Sequence, residues 1–370
     1  MKVALVHDYI KEYGGAERVL EALCEIYPDA PIYTAFCSKN STAYEHFKDR
    51  KIIQSFAHYI PFFPKLASPL RFLTPLIWSS FNFKDYDVVI SSASWYVTKG
   101  FGRKTKPVEI CYCHTPPRWL YGYTTSVNYQ KYKLILAYAK LMGHFIRLYD
   151  FKQAQNVNYF LANSKEVAGR IKKFYRRDST VIYPPVSLPK VNVKVKREDY
   201  YFIVSRIVGA KGLDLAVDAA VKKGFKLKIA GSPAGYYFEH NKLIEKAKGQ
   251  VEFLGQVTDE ELSKLYMGAK AFFALSKDED FGITPVEAAL FGTPVIAFNG
   301  GGYKETVIDE KTGVLFDDYS VDGLIKAVEK FDKLNIKDVD CITQGKKFSK
   351  ERFEKEIKEF VENHARATGS

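Results

Sequence analysis

Two α/β domains, each an open parallel sheet covered by helices, are the fold class this sequence predicts. Short apolar runs of strand length recur through the first half, separated by helical or irregular stretches, as in a parallel sheet with crossover helices. The second half repeats the scheme more plainly. Between the halves, Tyr183-Pro184-Pro185-Val186 stops regular structure, and polar, Lys-rich residues 187–199 form a linker. A length of 370 residues suits about two domains with a core apiece.

The first domain, residues 1–186, is expected to open with a strand over Val3–Val6. A loop through His7-Asp8 to Gly14-Gly15 follows, then a helix from Ala16 to about Cys24. Further strands are expected at Asp87–Ser91, Glu109–Cys113 and Tyr159–Ala162. In the second domain, residues 200–347, a strand at Tyr201–Ser205 leads through a loop to a helix beginning near Leu213. Strands are then expected at Lys226–Ala230, Val251–Leu254, Ala271–Leu275, Val295–Phe298 and Val314–Phe316. Thr258-x-x-Glu261 is a capping box that starts a helix running to Met267. Residues 348–370 hold a last helix, about Phe348–Ala365, with Phe353, Ile357 and Phe360 spaced as a buried stripe. It stays in the second domain or crosses back onto the first. Two such domains face each other across a central cleft, where open α/β sheets bind ligands at their carboxyl ends.

The net charge of +12 favours anionic partners. Five scattered cysteines argue against a disulfide framework and for a reducing, cytoplasmic compartment. Cys111-Tyr112-Cys113-His114 looks like half a metal site, but no second Cys/His pair completes it, so buried strand cysteines are expected. Met1–Val6 reads as a short strand and not as a signal peptide, and the tail from Ala365 reads as disordered or added. Residues 59–83 are rich in aromatic and aliphatic side chains but broken by Pro61, Pro64, Pro69 and Pro75, so they do not span a membrane. They form an interfacial anchor flanked by Lys65, Arg71 and Lys84, or else an acceptor groove or plain core. A second basic zone, from Lys131 through Lys140, Arg147, Arg170 and Arg177, is a solvated helix face or rests on an anionic leaflet.

The most informative segment is Glu279-Asp280-Phe281-Gly282-Ile283-Thr284-Pro285-Val286-Glu287. Its two glutamates stand eight positions apart around a turn that opens into a helix. Thr284 is expected to cap that helix and Pro285 to take its first position. Free amides and a partial positive charge at such a terminus suit an anionic or hydroxyl-rich ligand, and the two carboxylates can accept from its hydroxyls. Thr284-x-x-Glu287 is equally a capping box, which would turn Glu287 back on the helix. Asp278 and Asp280 imitate a D-x-D metal motif, yet no other acidic or His cluster nearby completes it. After the strand ending at Ser205, Arg206 and Lys211 are placed to hold a diphosphate, with solvated loop cations as the bland alternative. Gly14-Gly15 and Asn299-Gly300-Gly301-Gly302 let backbone amides approach a phosphate or sugar. His114, at a strand's carboxyl end, is a structural or a substrate-contacting histidine. The glycines form neither G-x-G-x-x-G nor a Walker loop, which leaves a dinucleotide oxidoreductase or P-loop NTPase unsupported.

Taken together, Gly14-Gly15-Ala16-Glu17-Arg18, Cys113-His114-Thr115-Pro116, Ala162-Asn163-Ser164, Val181–Pro185, Arg206 with Lys211-Gly212, Glu279–Glu287 and Gly301–Glu305 resemble a retaining glycosyltransferase of family 4. The fold the resemblance implies is GT-B, two Rossmann-like domains around a central cleft. The wording of the His-Thr-Pro and Glu279–Glu287 segments is similar to bacterial O-antigen mannosyltransferases that use GDP-mannose. The resemblance implies roles for single residues. Arg206 and Lys211 would neutralise the leaving diphosphate. Glu279 would hold the donor sugar's hydroxyls, assisted by amides of Phe281, Gly282, Ile283 and Thr284, and Glu287 the ribose hydroxyls. His114 and Gly15 would approach the sugar and diphosphate, and the base would be read by main chain around Gly255–Val257. No metal or other cofactor is implied. The implied partners are a nucleotide-sugar donor and a saccharide or lipid-linked acceptor at the inner face of the cytoplasmic membrane, with no nucleic acid. Asp280 stands where many members have Gly. A UDP-hexose donor and a non-hydrolysing sugar-nucleotide epimerase are the rival readings.

Overall fold

The computed structural model describes all residues except 124–132, 189–194, 208, 233–236, 248 and 367–370. Among these, the chain forms two compact units, one taking residues 1–123, 133–185 and 350–366, the other the described residues of 186–349.

Seven parallel strands build the first unit: β1 (Val3–His7), β2 (Ile32–Thr34), β3 (Ile52–Gln54), β4 (Val88–Ala93), β5 (Val108–Cys113), β6 (Tyr159–Ala162) and β7 (Thr180–Val181), in the order β3-β2-β1-β4-β5-β6-β7. β1, β4 and β5 are buried along their whole length, as strands covered on both faces must be. Alternate residues divide between two cores: Val3, Leu5, Val88 and Ile110 on one face, Ala4, Val6 and Val89 on the other. β2, β3 and β7 escape a sequence reading because runs of two or three residues carry no period.

The last helix, Lys350–Arg366, packs into the first unit, with Phe353, Ile357 and Val361 fully buried in its core. The buried stripe therefore advances by whole turns to Val361, and Phe360 is only partly buried. Arg352 ties the helix to the Tyr183 carbonyl at 2.6 Å.

The second unit has six parallel strands: β8 (Tyr201–Val204), β9 (Leu227–Ala230), β10 (Val251–Gly255), β11 (Ala271–Ala274), β12 (Val295–Phe298) and β13 (Gly313–Phe316), in the order β10-β9-β8-β11-β12-β13. Residues 197 and 198 of the expected linker are tied to this unit: Arg197 reaches Asp338 at 2.9 Å and the Gly292 carbonyl at 3.0 Å, and the Glu198 amide donates to the Gly268 carbonyl. Residues 189–194 of that linker lie outside the described residues.

Both sheets turn around their first strand. β2 and β4 lie on opposite sides of β1, and β9 and β11 on opposite sides of β8. Successive crossovers diverge there, which leaves a crevice at the carboxyl ends of those strands. Each candidate site falls at one of these switch points.

Two sequence expectations divide. Residues 56–79 form four short helical turns that bury Phe63, Ile77 and Trp78 but expose Tyr59 at 84%, Phe62 at 73% and Leu76 at 58%. Core is thus the inner half only. In the basic zone, Arg170 is buried against Thr115 and Glu166, and Arg177 donates to the carbonyls of Ala154, Gln155, Val157 and Asn158. These two guanidinium forks satisfy internal acceptors and are unavailable to a surface. Lys131 lies outside the described residues. Among the described residues no helix is long and apolar enough to cross a membrane.

Candidate active site

In the second unit, Arg206 is exposed just beyond β8. Lys211 ends a short 3-10 turn, Gly209–Lys211, ahead of the helix Leu213–Lys223. Gly212 between them has φ +70, and a Cβ there would stand 2.6 Å from the Leu275 carbonyl oxygen, so only glycine fits. Lys211 Nζ donates to Glu279 Oε2 at 2.8 Å, bringing the β8 and β11 loops together. The two side chains keep 31% and 17% of their surface, so the pair is open to solvent. An ion pair this exposed is weak and yields readily to a more highly charged ligand. Tyr303 O–H also donates to Glu279 Oε2, at 3.3 Å. Burial, and then the Glu279 charge, push the Tyr303 phenol well up, so it remains a donor.

The glycines after β12 have a structural task of their own. Gly302 N donates to the Glu279 carbonyl at 2.9 Å, and a Cβ on Gly301 (φ +56) would meet that carbonyl oxygen at 2.1 Å. The run is glycine because two backbones touch, and it braces the loop that carries Glu279.

The helix after this loop runs Ile283–Leu290 and is capped by Gly282 at φ +90. Thr284 is therefore the second helical residue, not the cap, and Pro285 the third, not the first. Proline is tolerated there because first-turn amides have no intrahelical acceptor. The expected capping box does not form. Glu287 is buried instead, and its Oε2 accepts from Tyr266 O–H at 2.8 Å. Phe281 is buried against Phe348, so only its main chain can serve a ligand. Gly282, Ile283 and Thr284 surround the same helix N-terminus. Val257, half-buried, follows the end of β10 at Gly255 (φ +67).

In the first unit the helix Gly15–Ile26 begins at the exposed Gly15, and Glu17 Oε2 accepts from Gly14 N at 3.0 Å. The other Glu17 oxygen lies 3.3 Å from His7 Nε2. His7 Nδ1 is 3.0 Å from Ser92 Oγ, which is 2.8 Å from His114 Nε2. A chain of four polar side chains thus joins the carboxyl ends of β1, β4 and β5. Burial first, and the nearby His7 second, push the His114 imidazole down to about 3, so it is neutral near pH 7. Asn163 Nδ2 holds the His114 carbonyl at 2.9 Å, and Ser164 caps the helix Lys165–Tyr175. Cys111 and Cys113 are free and buried in β5. Among the described residues no group of three or more His, Cys, Asp or Glu is placed to hold a metal ion.

Sequence reasoning missed His7, Glu17, Ser92, Tyr266 and Tyr303. Glu17 was marked only by its place three residues after Gly14, and His7 by its place ending a strand. Nothing local distinguishes Ser92 or the two tyrosines, whose partners are 21 or more positions away.

Residues 13–189 match Glycosyltransferase Family 4, and residues 187–348 match Glycosyl transferases group 1. The chain is therefore built of a family 4 glycosyltransferase domain followed by a group 1 domain. Its fold is GT-B. Sucrose-phosphate synthase from Thermosynechococcus elongatus aligns with TM-score 0.74 at 17% identity, over 99% of this chain and 100% of that one. HepE of Anabaena, in complex with UDP and glucose, aligns with TM-score 0.71 at 16% identity, over 98% and 100%. Among curated relatives, a glycogen synthase of Thermus thermophilus is 34% identical over 40% of this chain and 34% of its own length. The alpha-1,3/1,6-mannosyltransferase ALG2 of Kluyveromyces lactis is 24% identical over 83% of this chain and 71% of its own. The chain spans about a third of the length of the first curated relatives it matches.

Proposed function

We propose that this protein is a retaining glycosyltransferase that moves a hexose, with mannose from GDP-mannose as the leading donor, to a saccharide or lipid-linked saccharide in cell-surface polysaccharide synthesis. The observation that carries the reading lies at the second sheet's switch point, where Lys211 meets Glu279 across the β8 and β11 loops and Arg206 follows β8 a few positions before Lys211. Two cations suit a departing diphosphate, and a carboxylate held by Tyr303 suits sugar hydroxyls. Mannose is supported by the family wording of Glu279–Glu287 and by the ALG2 relatives, named for mannosyl transfer. A UDP-hexose is the alternative, since HepE is solved with UDP-glucose.

In this reading the bond from the sugar's C1 to the phosphate oxygen breaks while the acceptor oxygen bonds C1 on the same face. The acceptor's proton passes to the departing phosphate oxygen. Arg206 and Lys211 meet the charge that develops there, and no enzyme carboxylate needs to attack. The donor is tested by thermal shift, since a true donor stabilises by mass action. GDP-mannose is expected to raise Tm more than UDP-glucose, and the reverse result transfers the assignment to UDP. Release of nucleoside diphosphate only when acceptor is present excludes the epimerase reading.

The diphosphate charge is met by protein cations and a helix N-terminus, so activity is expected to survive EDTA. Loss in chelator, restored by Mg²⁺ or Mn²⁺, would reinstate Asp278 and Asp280 as metal ligands.

The first unit is proposed to rest on the anionic inner face of the cytoplasmic membrane. The helix Lys133–Asn156 exposes Leu141, Phe145 and Leu148 along one face, and Tyr138 O–H reaches the Pro69 carbonyl at 2.5 Å, adjoining the exposed aromatics of residues 56–76. Residues 50–84 and 110–149 contain no Asp or Glu, while Lys65, Lys140 and Arg147 lie among them. Each such cation contributes about 1 kcal/mol near an anionic surface. Purified protein is expected to sediment with anionic liposomes at low salt, release as salt rises, and bind neutral liposomes poorly. Equal binding to both, or to neither, rejects the electrostatic attachment.

A further inference from the structure

We infer that His7, Glu17 and Ser92 are positioning residues that fix which nitrogen of His114 faces the substrate, an inference that rests on the reading of His114 as a donor-sugar contact. The carboxyl ends of β1, β4 and β5 meet here, and the four side chains come from positions 7, 17, 92 and 114, all buried. Their hydrogen bonds can run in only a few ways. A carboxylate oxygen only accepts, so His7 must present Nε2–H to Glu17. With one proton on His7, its Nδ1 then carries a lone pair and accepts the single Ser92 hydroxyl proton, whereas a second proton on Nδ1 would donate to Ser92 and reverse the chain. Ser92 Oγ is left as an acceptor, and His114 must place its own proton on Nε2 to meet it at 2.8 Å. His114 Nδ1 then carries a lone pair and has no partner among the described residues. That nitrogen is an acceptor for a sugar hydroxyl. Were Ser92 to donate to His114 instead, the proton of His114 would move to Nδ1 and the site would present a donor.

Glu17 fixes the start of the chain doubly. Its second oxygen holds Gly14 N at 3.0 Å, so the glycine turn and the His7 tautomer share one carboxylate. A Glu three residues after a helix-starting glycine has a capping role by itself, but capping needs only one oxygen. The other is spent on a buried imidazole ten residues back in sequence. The device sets polarity without adding charge, since His114 stays neutral.

Ser92→Ala tests this with little change of volume in a buried strand position. Nitrogen NMR of histidine-labelled protein, with the His114 signal identified from its loss in His114→Gln, is expected to show His114 protonated at Nε2 in the wild type. In Ser92→Ala it is expected to show protonation at Nδ1 or a mixture. Turnover should fall roughly tenfold or more with donor KM little changed, because a buried hydrogen-bond partner has been removed. In the double variant Ser92→Ala/His114→Gln the losses should fail to multiply, as residues acting in one chain do. An unchanged His114 tautomer in Ser92→Ala overturns the inference, as does fully multiplicative loss. Wild-type turnover in His114→Gln overturns instead the donor-contact reading beneath it, and the NMR spectrum tells the two failures apart.

Discussion

Replacing Arg206 or Lys211 with alanine is expected to lower turnover roughly a hundredfold or more at saturating donor, as loss of a preorganised charge partner does. Lys211 Nζ donates to Glu279 at 2.8 Å, so Lys211→Ala also removes a partner from the carboxylate that Tyr303 helps to hold. Its variant should therefore disturb donor binding as well as turnover. Arg206→Ala should act mainly on turnover, because the guanidinium is needed most when the diphosphate carries its full departing charge. Initial rates across donor concentration separate these effects. Near wild-type turnover in both variants would remove the diphosphate assignment.

The second large effect is on stability. Asp150→Asn is expected to destabilise the first unit by about 3–5 kcal/mol, because it leaves a buried charge uncompensated. Lys99 Nζ donates to Asp150 Oδ1 with side chains 1% and 0% exposed, while Tyr121 O–H donates to Oδ2 at 2.7 Å and the ammonium lies 4.8 Å from the Tyr175 ring centroid. An exposed pair such as Lys48 with Glu45 is screened by solvent and weak by comparison. Urea unfolding measures the difference, provided that the transitions of the two units are resolved. The double variant Lys99→Met/Asp150→Leu removes both charges and should recover most of the loss. If Asp150→Asn unfolds like the wild type, the pair has no structural weight.

Much of the site was legible because its chemistry is local. Arg206 and Lys211 follow an apolar run that could only be a strand, and Glu279–Glu287 brackets a turn with its own glycine and proline. What the segment does in detail was less legible. Thr284 and Glu287 satisfy the capping-box spacing, yet Gly282 at φ +90 starts the helix earlier and Tyr266 takes Glu287. A pattern of four residues cannot reveal that a tyrosine 21 positions back competes for the carboxylate. The glycines at 300–302 suggest a close backbone approach when met as sequence, but not that the backbone they meet is the loop carrying Glu279. Residues 59–83 are divided face by face between core and solvent, because one segment of short turns has both an inside and an outside.

By itself the sequence determined the two α/β halves, the break near Pro184-Pro185, and the cations and carboxylates at the ends of strands. Those signals come from hydrophobic periodicity and turn chemistry, which act over a few residues. Only the tertiary structure decided the strand order that makes β1/β4 and β8/β11 the switch points, the return of the Lys350–Arg366 helix to the first unit, and the chain from Glu17 to His114. Strand order depends on which edges pair, and a buried hydrogen bond depends on which side chains the finished sheet brings within reach. Both are set by contacts between residues distant in sequence, and no local pattern records them.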